Sequence, residues 1–386
     1  MVDIAQLVER QIVALVVESS TLSVYPKGYR IAAIAPVSKT GERKLHVGSS
    51  PTAPAKRAKR KRRKKGMEKE FEYKEEYGWL TNICLNVTDA CNLACRYCFV
   101  EQNPHYMTLD VAKQAVHFIL DNLEKKNKKF GNNEKASITF FGGEPMLMWT
   151  EIIVPLTNYI RNNNYPIELS ITTNGTLLNK ERIKFFKENN FSMLLSADGN
   201  EYTQNYNRPC QNKNLQSFEL LENNIPLILE AFPDITLRMT AYAPTIQETF
   251  NNYMYAIEKG FNNVFIAPDI RHEWTEEQIT IMQQELDKIF MFITQCYLSG
   301  VNPIGFTTID RMFKALIILS QGEKEIDISR SCHRCGLGTT FGSIGYDGSI
   351  YGCQEQASQE KNIFYIGNLS NGIDKNLHSR LLSTYS

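Results

Sequence analysis

Cys91-Asn92-Leu93-Ala94-Cys95-Arg96-Tyr97-Cys98-Phe99-Val100 is the stretch on which the reading of this chain turns. Its three cysteines follow a C-x3-C-x2-C spacing, with an aromatic residue directly before the last. An apolar, β-like run from Ile83 to Val87 lies just upstream, so the cysteines fall on a loop that leaves a strand. Three thiolates on one short loop can hold one face of an iron–sulfur cluster. A cubane has four irons, so three protein thiolates leave one iron open to a small molecule. A structural zinc site and three unrelated buried cysteines are the alternatives. Zinc usually takes four ligands in paired groups, and no second CxxC or histidine pair lies nearby.

Ala136 to Phe141 reads as a buried strand that runs into Gly142-Gly143-Glu144-Pro145. The two glycines permit close approach of the backbone to a ligand, and Glu144 can accept a hydrogen bond from an ammonium group. A plain turn before a helix is the other reading of this run. With both motifs in view, the chain resembles the radical S-adenosylmethionine (radical SAM) enzymes. That resemblance implies a 4Fe–4S cluster on Cys91, Cys95 and Cys98 whose open iron binds S-adenosylmethionine. It also implies that Gly142, Gly143, Glu144 and Pro145 bind the cofactor's amino group. Weaker matches follow at strand ends. Thr173-Asn174-Gly175-Thr176 resembles the family's TNG segment, and Ser196-Ala197-Asp198-Gly199 its S-x-D-G segment, with Arg208 placed where an arginine often follows. Thr173, Asn174, Ser196, Asp198 and Arg238 are cofactor-binding candidates on this basis. For Ser196 and Arg238, ordinary strand-end hydrogen bonding is an equal reading. No catalytic acid or base is identified.

Further strands are expected at Leu169–Thr173, Phe191–Leu195, Ile235–Thr240 and Asn263–Ala267. Amphipathic segments fill the gaps: Val111–Lys125, Ile152–Ile160, Lys180–Glu188, Leu220–Leu229 and Phe250–Lys259. Repeated β-α units imply a parallel sheet covered by helices. The fold class is therefore α/β, a partial (β/α)6 TIM-type barrel with its polar signals at the strand C-terminal ends. It runs from Trp79 to Ala267 and is closed by a helix from Thr275 to Leu298. The radical SAM family has this fold.

A second cysteine group reads Cys332-His333-Arg334-Cys335-Gly336, then Gly348-Ser349-Ile350-Tyr351-Gly352-Cys353. Between the two, Ser343 to Tyr351 carries an Asp347-Gly348 hairpin signal that would return Cys353 toward Cys335. With Gly367-Asn368-Leu369 beyond, this resembles the opening of the SPASM or twitch extension of radical enzymes that modify peptides. There such cysteines hold an auxiliary iron–sulfur cluster, which would make Cys332, Cys335 and Cys353 ligands of a second cluster. Cys332 and Cys335 also read as a zinc half-site or a redox pair. The extension's later cysteine run is missing, because no cysteine follows Cys353. Either a shortened module or truncation after Ser386 accounts for this, and the uncapped amphipathic stretch Leu377–Tyr385 favours truncation.

The domain expectation is a leader at 1–66, a lead-in at 67–78, a radical SAM barrel at 79–300, a connector at 301–331 and an auxiliary-cluster module at 332–386. The leader reads as non-native or disordered. Asp3 to Arg10 and Gly48 to Thr52 resemble peptides translated across tRNA genes. Lys56 to Lys65 is almost wholly basic, and Arg62-Arg63 fits a ribosome-binding AGG-AGG ahead of a start at Met67. A nucleic-acid arm or localisation signal is the alternative. The whole chain of 386 residues has a formal charge of +1, and without the leader it is acidic. No nucleic-acid footprint and no membrane-spanning apolar run are read from the remainder. Of nine cysteines, Cys84 and Cys296 read as small buried residues and Cys210 as a surface thiol. Without a signal peptide, a disulfide framework is not expected, and the compartment should be reducing and cytoplasmic.

Three function classes follow: a radical enzyme modifying a ribosomally made peptide or protein by crosslinking or oxidation, one acting on a small molecule or sulfatase-type target, and a truncated or degenerate inactive relative. The resemblance implies a peptide or protein substrate, and an electron donor such as flavodoxin or ferredoxin.

Overall fold

Alternation along the strands sets the layers. Ile138, Phe140, Leu169, Ile171, Leu237 and Met239 are buried in the core cluster, while their strand neighbours Thr139, Ser170 and Arg238 face the other way. One face of the sheet is thus covered by helices and the other lines a polar lumen. The computed structural model describes residues 73–269, 271–300, 305–306, 336–357 and 362–385. The leader, Cys332, Cys335 and most of the connector lie outside the described residues.

Six strands pair in parallel and in chain order: β1 (Asn82–Thr88), β2 (Ala136–Gly142), β3 (Ile167–Thr173), β4 (Phe191–Ser196), β5 (Thr236–Ala241) and β6 (Asn263–Pro268). A parallel neighbour requires a crossover, and helices supply it. Leu109–Phe130 links β1 to β2; the Thr108 hydroxyl accepts from the Val111 amide at its start, and Gly131 at φ 66° ends it. Val154–Asn162, Lys180–Glu188 and Thr249–Lys259 serve later crossovers, and Glu276–Leu298 packs on the last of these. The expected helix over Leu220–Leu229 is two, Ser217–Glu222 and Ile225–Ala231. Pro226 explains the break: it donates no amide hydrogen and belongs in a first turn, where the second helix places it.

A short seventh strand, β7 (Gly305–Phe306), pairs with β6 beyond the expected end of the barrel. At the other edge the C-terminal extension joins the same sheet. Strand β8 (Phe341–Ile344) pairs in parallel with β1, from Asn82↔Phe341 to Leu85↔Ile344. It turns through Asp347-Gly348, with Gly348 at φ 82°, into antiparallel β9 (Ser349–Tyr351). Among the described residues, strands β10 (Tyr365–Asn368) and β11 (Gly372–Ile373) complete an eleven-stranded sheet. Among the described residues no helix is long and apolar enough to cross a membrane.

The last helix, Lys375–Tyr385, carries a fully buried histidine. His378 Nε2 donates to the Gly338 carbonyl, and Nδ1 faces the Tyr73 hydroxyl at 3.0 Å. Burial pushes its pKa down to about 4, with the Gly338 hydrogen bond acting the other way. The folded state therefore prefers the neutral ring. Its stabilisation is complete above the ordinary histidine value and fades as pH falls toward about 4. Urea unfolding should show a loss of about 2 kcal/mol between roughly pH 7.5 and pH 5 from this residue. His378→Leu should flatten that part of the profile; an unchanged slope would remove the assignment.

Candidate active site

The cysteine loop leaves β1 at the C-terminal end of the sheet and is pinned from three sides. The first is the double glycine at the end of β2. Gly143 N donates to Thr88 O at 2.8 Å and Glu144 N to Ala90 O at 2.9 Å. A Cβ on Gly142 would lie 2.2 Å from Thr88 O, and one on Gly143 2.3 Å from Ala90 O. Gly142 also sits at φ 137°, which side chains rarely tolerate. The glycines therefore let two stretches of the protein's own backbone meet beside Cys91, where the sequence suggested approach to a ligand.

The second side is the end of β3. Glu144 is 1 % exposed; its Oε1 accepts from Met146 N at 3.0 Å and the Thr173 hydroxyl at 2.8 Å, and its Oε2 from Asn174 N at 2.8 Å. Burial raises its pKa to about 7 against the pull of these donors. Asn174 Nδ2 donates to Asn92 Oδ1 at 3.0 Å, and Asn92 Nδ2 to the Thr176 hydroxyl at 2.8 Å. So the GGEP run, the TNG segment and the cysteine loop form one network. Asn92 and Thr176 were not singled out from the sequence, although each is a polar residue inside a quoted motif.

The third side is the segment after β4. Ala94 N donates to Pro209 O at 2.7 Å, Arg96 N to Asn207 O at 2.9 Å, and Leu93 bridges to Cys210. Cys210, expected as a surface thiol, is 8 % exposed because this pairing buries it against the loop. Asp198, wholly buried, accepts from Asn207 Nδ2 at 3.0 Å, Arg208 at 2.9 Å, Thr240 N at 3.0 Å and the Tyr97 hydroxyl. Arg208 also lies over the Tyr97 ring at 5.4 Å. Asp198 thus faces protein donors on every side that the described residues define. Ser196 stands opposite Arg238 in the β4–β5 register.

Cys91 and Cys95 are partly exposed, Cys98 is exposed, and all three are free thiols. Leu93 N donates to Cys91 Sγ at 3.3 Å, a contact suited to a thiolate. Burial pushes the Cys91 thiol well up, and the Cys95 thiol to about 12 despite the nearby Arg208. Metal coordination is what deprotonates such thiols outright. Among the described residues no three ligating side chains close on a single ion. A 4Fe–4S cluster takes one thiolate on each of three irons, and three free cysteines on one loop are that type of donor. The donor set therefore fits a cluster.

The extension reaches this loop. His105 Nδ1 lies 3.2 Å from Asp89, two residues before Cys91, and the His105 ring stacks on Tyr346 of the β8–β9 turn at 4.5 Å. Burial raises the Asp89 carboxyl to about 6, against the pull of His105. Cys353 follows β9, and its charge acts on Cys84, whose thiol burial pushes up to about 12. The expected partners of Cys353, which are Cys332 and Cys335, lie outside the described residues.

Comparisons with known proteins bear on this geometry. The chain is 26% identical over 309 residues to the radical SAM cyclopropyl synthase TigE of Paramaledivibacter caminithermalis, covering 73% of this chain and 62% of TigE. It thus spans less than two thirds of that relative. A cysteine-type anaerobic sulfatase-maturating enzyme of Clostridium perfringens is 27% identical over 283 residues, covering 69% of this chain and 72% of the enzyme. The fold matches the solved structure of anSMEcpe with bound AdoMet at TM-score 0.61 and 22% identity, over 77% of this chain and 76% of that one. It also matches Streptococcus suis SuiB bound to its precursor peptide SuiA, at TM-score 0.52 and 15% identity, over 78% and 66%. The Radical SAM superfamily profile matches residues 85–285, from within β1 into the helix Glu276–Leu298, and the chain belongs to that superfamily.

Proposed function

We propose that this enzyme modifies a ribosomally made peptide or protein, by crosslinking or oxidation. One observation carries the reading: the cysteine-bearing extension pairs directly with β1 and stacks Tyr346 on His105 beside the cysteine loop. In this reading the extension that carries Cys353 is a second cysteine module, and its pairing with β1 supports a place beside the radical site. The relatives add support, since they include sulfatase-maturating enzymes and a fold neighbour solved with a precursor peptide.

In this reading Cys91, Cys95 and Cys98 hold the 4Fe–4S cluster, and Gly142 to Pro145, Thr173, Asn174 and Ser196 border S-adenosylmethionine. Bound there, the pair would supply a 5'-deoxyadenosyl radical that takes a hydrogen atom from substrate. Asp198, Arg208 and Tyr97 hold the loop in place. Cys353, with Cys332 and Cys335, is assigned to a second cluster. A flavodoxin or ferredoxin would deliver the electron. A sulfatase-type target is the second reading, favoured by the Clostridium relative.

Anaerobic reconstitution followed by a 5'-deoxyadenosine assay tests the radical chemistry, and mass changes in cysteine- or serine-bearing peptides test the target. A wild-type chain that forms no 5'-deoxyadenosine refutes the proposal. Glu144 offers a finer check. Glu144→Gln replaces one accepting oxygen by a donor and weakens a charge-assisted contact, worth about 1.5–3 kcal/mol. Cofactor affinity should fall roughly ten- to a hundred-fold with iron content unchanged. Unaltered affinity would leave Glu144 as a pin for Thr173 and Asn174 only.

A further inference from the structure

Residues 88–90 join β1 to the cysteine loop, and they are gripped from both sides. On one side, Thr88 O and Ala90 O accept from Gly143 N and Glu144 N. His105 grips the other. Its carbonyl accepts from the Thr88 hydroxyl at 2.7 Å and from Asp89 N at 3.3 Å. The Thr88 hydroxyl accepts in turn from Ala90 N at 3.0 Å. The His105 ring lies 3.2 Å from the Asp89 carboxyl, which is 3% exposed. His105 thus touches, by backbone and by ring, the residues directly before Cys91.

The imidazole itself is 45% exposed, and Tyr346 of the extension covers it. The two rings stack at 4.5 Å with an interplanar angle of 19°. The Tyr346 hydroxyl makes no hydrogen bond among the described residues, so the ring face is the contact. The turn that presents Tyr346 is tightly tied. Gly345 N donates to Ser349 O at 2.9 Å, Ser349 N to Asp347 Oδ1 at 2.9 Å, and Leu369 N to Gly348 O at 2.9 Å. A fixed turn therefore restrains a side chain that solvent alone would leave free among rotamers.

We propose that His105 is a positioning residue for Cys91, and that Tyr346 makes the C-terminal extension the part of the chain that holds it in place. Order at His105 reaches Cys91 through Thr88 and Asp89. The extension then acts on the radical cluster independently of its own cysteines. The proposal rests on the assignment of Cys91 to that cluster.

The test labels the full, iron-free chain with N-ethylmaleimide and reads each cysteine by mass spectrometry, with the exposed Cys98 as internal reference. Tyr346→Leu removes the stack and should raise the Cys91-to-Cys98 labelling ratio roughly two- to ten-fold. His105→Leu should raise it as much. The double variant should go no further than either, because the Tyr346 ring acts through the imidazole. Tyr346→Phe keeps the ring face and should leave the ratio at the wild-type value. In reconstituted chain, S-adenosylmethionine should change the electron paramagnetic resonance signal of the reduced cluster. The concentration giving half of that change should rise by a similar factor in Tyr346→Leu and return in Tyr346→Phe. A labelling ratio unchanged in both leucine variants overturns the proposal. So does a Tyr346→Phe variant that behaves like Tyr346→Leu, or effects that multiply in the double variant. A wild-type chain that takes up no cluster counts against the radical reading, and the labelling ratios still decide the place of His105.

Discussion

Replacing Cys95 with alanine should lower 5'-deoxyadenosine formation by roughly 100-fold or more and strip most of the iron from reconstituted protein. Thiolate is a soft, charge-donating ligand that neither alanine nor a serine hydroxyl replaces. Cys95 is the informative choice. It is flanked by the two amides, Ala94 N and Arg96 N, that tie the loop to Pro209 and Asn207. The loop should therefore stay folded while the ligand is lost. Iron analysis, the visible absorption of the cluster and the cleavage assay read the result together. A variant that keeps iron and cleaves cofactor at the wild-type rate would mean that this loop does not hold the cluster.

Arg208→Met should destabilise the fold by about 3–5 kcal/mol. The ion pair with Asp198 is almost wholly buried, with side chains 6% and 0% exposed. Removing the cation leaves a buried carboxylate that keeps Tyr97, Asn207 and the Thr240 amide but no counter-charge. The double change Asp198→Asn with Arg208→Met should recover part of the loss, because no unpaired charge remains. Urea unfolding of the two variants gives both numbers. The loop should suffer as well, since Asn207 and Pro209 hold it through their carbonyls. Cluster loading should fall further than the stability loss alone explains. A single variant within about 0.5 kcal/mol of wild type would show the pair to be incidental.

The strand from Ile83 to Val87 and the observed Asn82–Thr88 agree, as do the other five barrel strands within a residue or two at most ends. Local periodicity is enough for that, because a strand's burial alternates over its own length. The cysteine spacing is likewise a local fact, since three thiols on one loop stay near one another in any fold that forms the loop. Turn chemistry was also local, and Asp347-Gly348 does close the β8–β9 hairpin.

What the sequence could not decide is who satisfies whom across long separations. Asp198 reads as a strand-end ligand, yet its partners are Tyr97, Asn207, Arg208 and Thr240, drawn from three parts of the chain. Gly142 and Gly143 read as room for a ligand, yet the atoms in the way are Thr88 O and Ala90 O. Cys210 reads as exposed until Leu93 pairs with it. The extension reads as an appended module until β8 takes the free edge of β1, with Ser343 Oγ donating to Cys84 O at 3.0 Å across 259 positions. Periodicity, spacing and turn residues act within a few residues, so this sequence determined the barrel strands and the cysteine loop. Burial of a polar group requires a partner wherever the chain can bring one, and only the tertiary structure decided which residues those are.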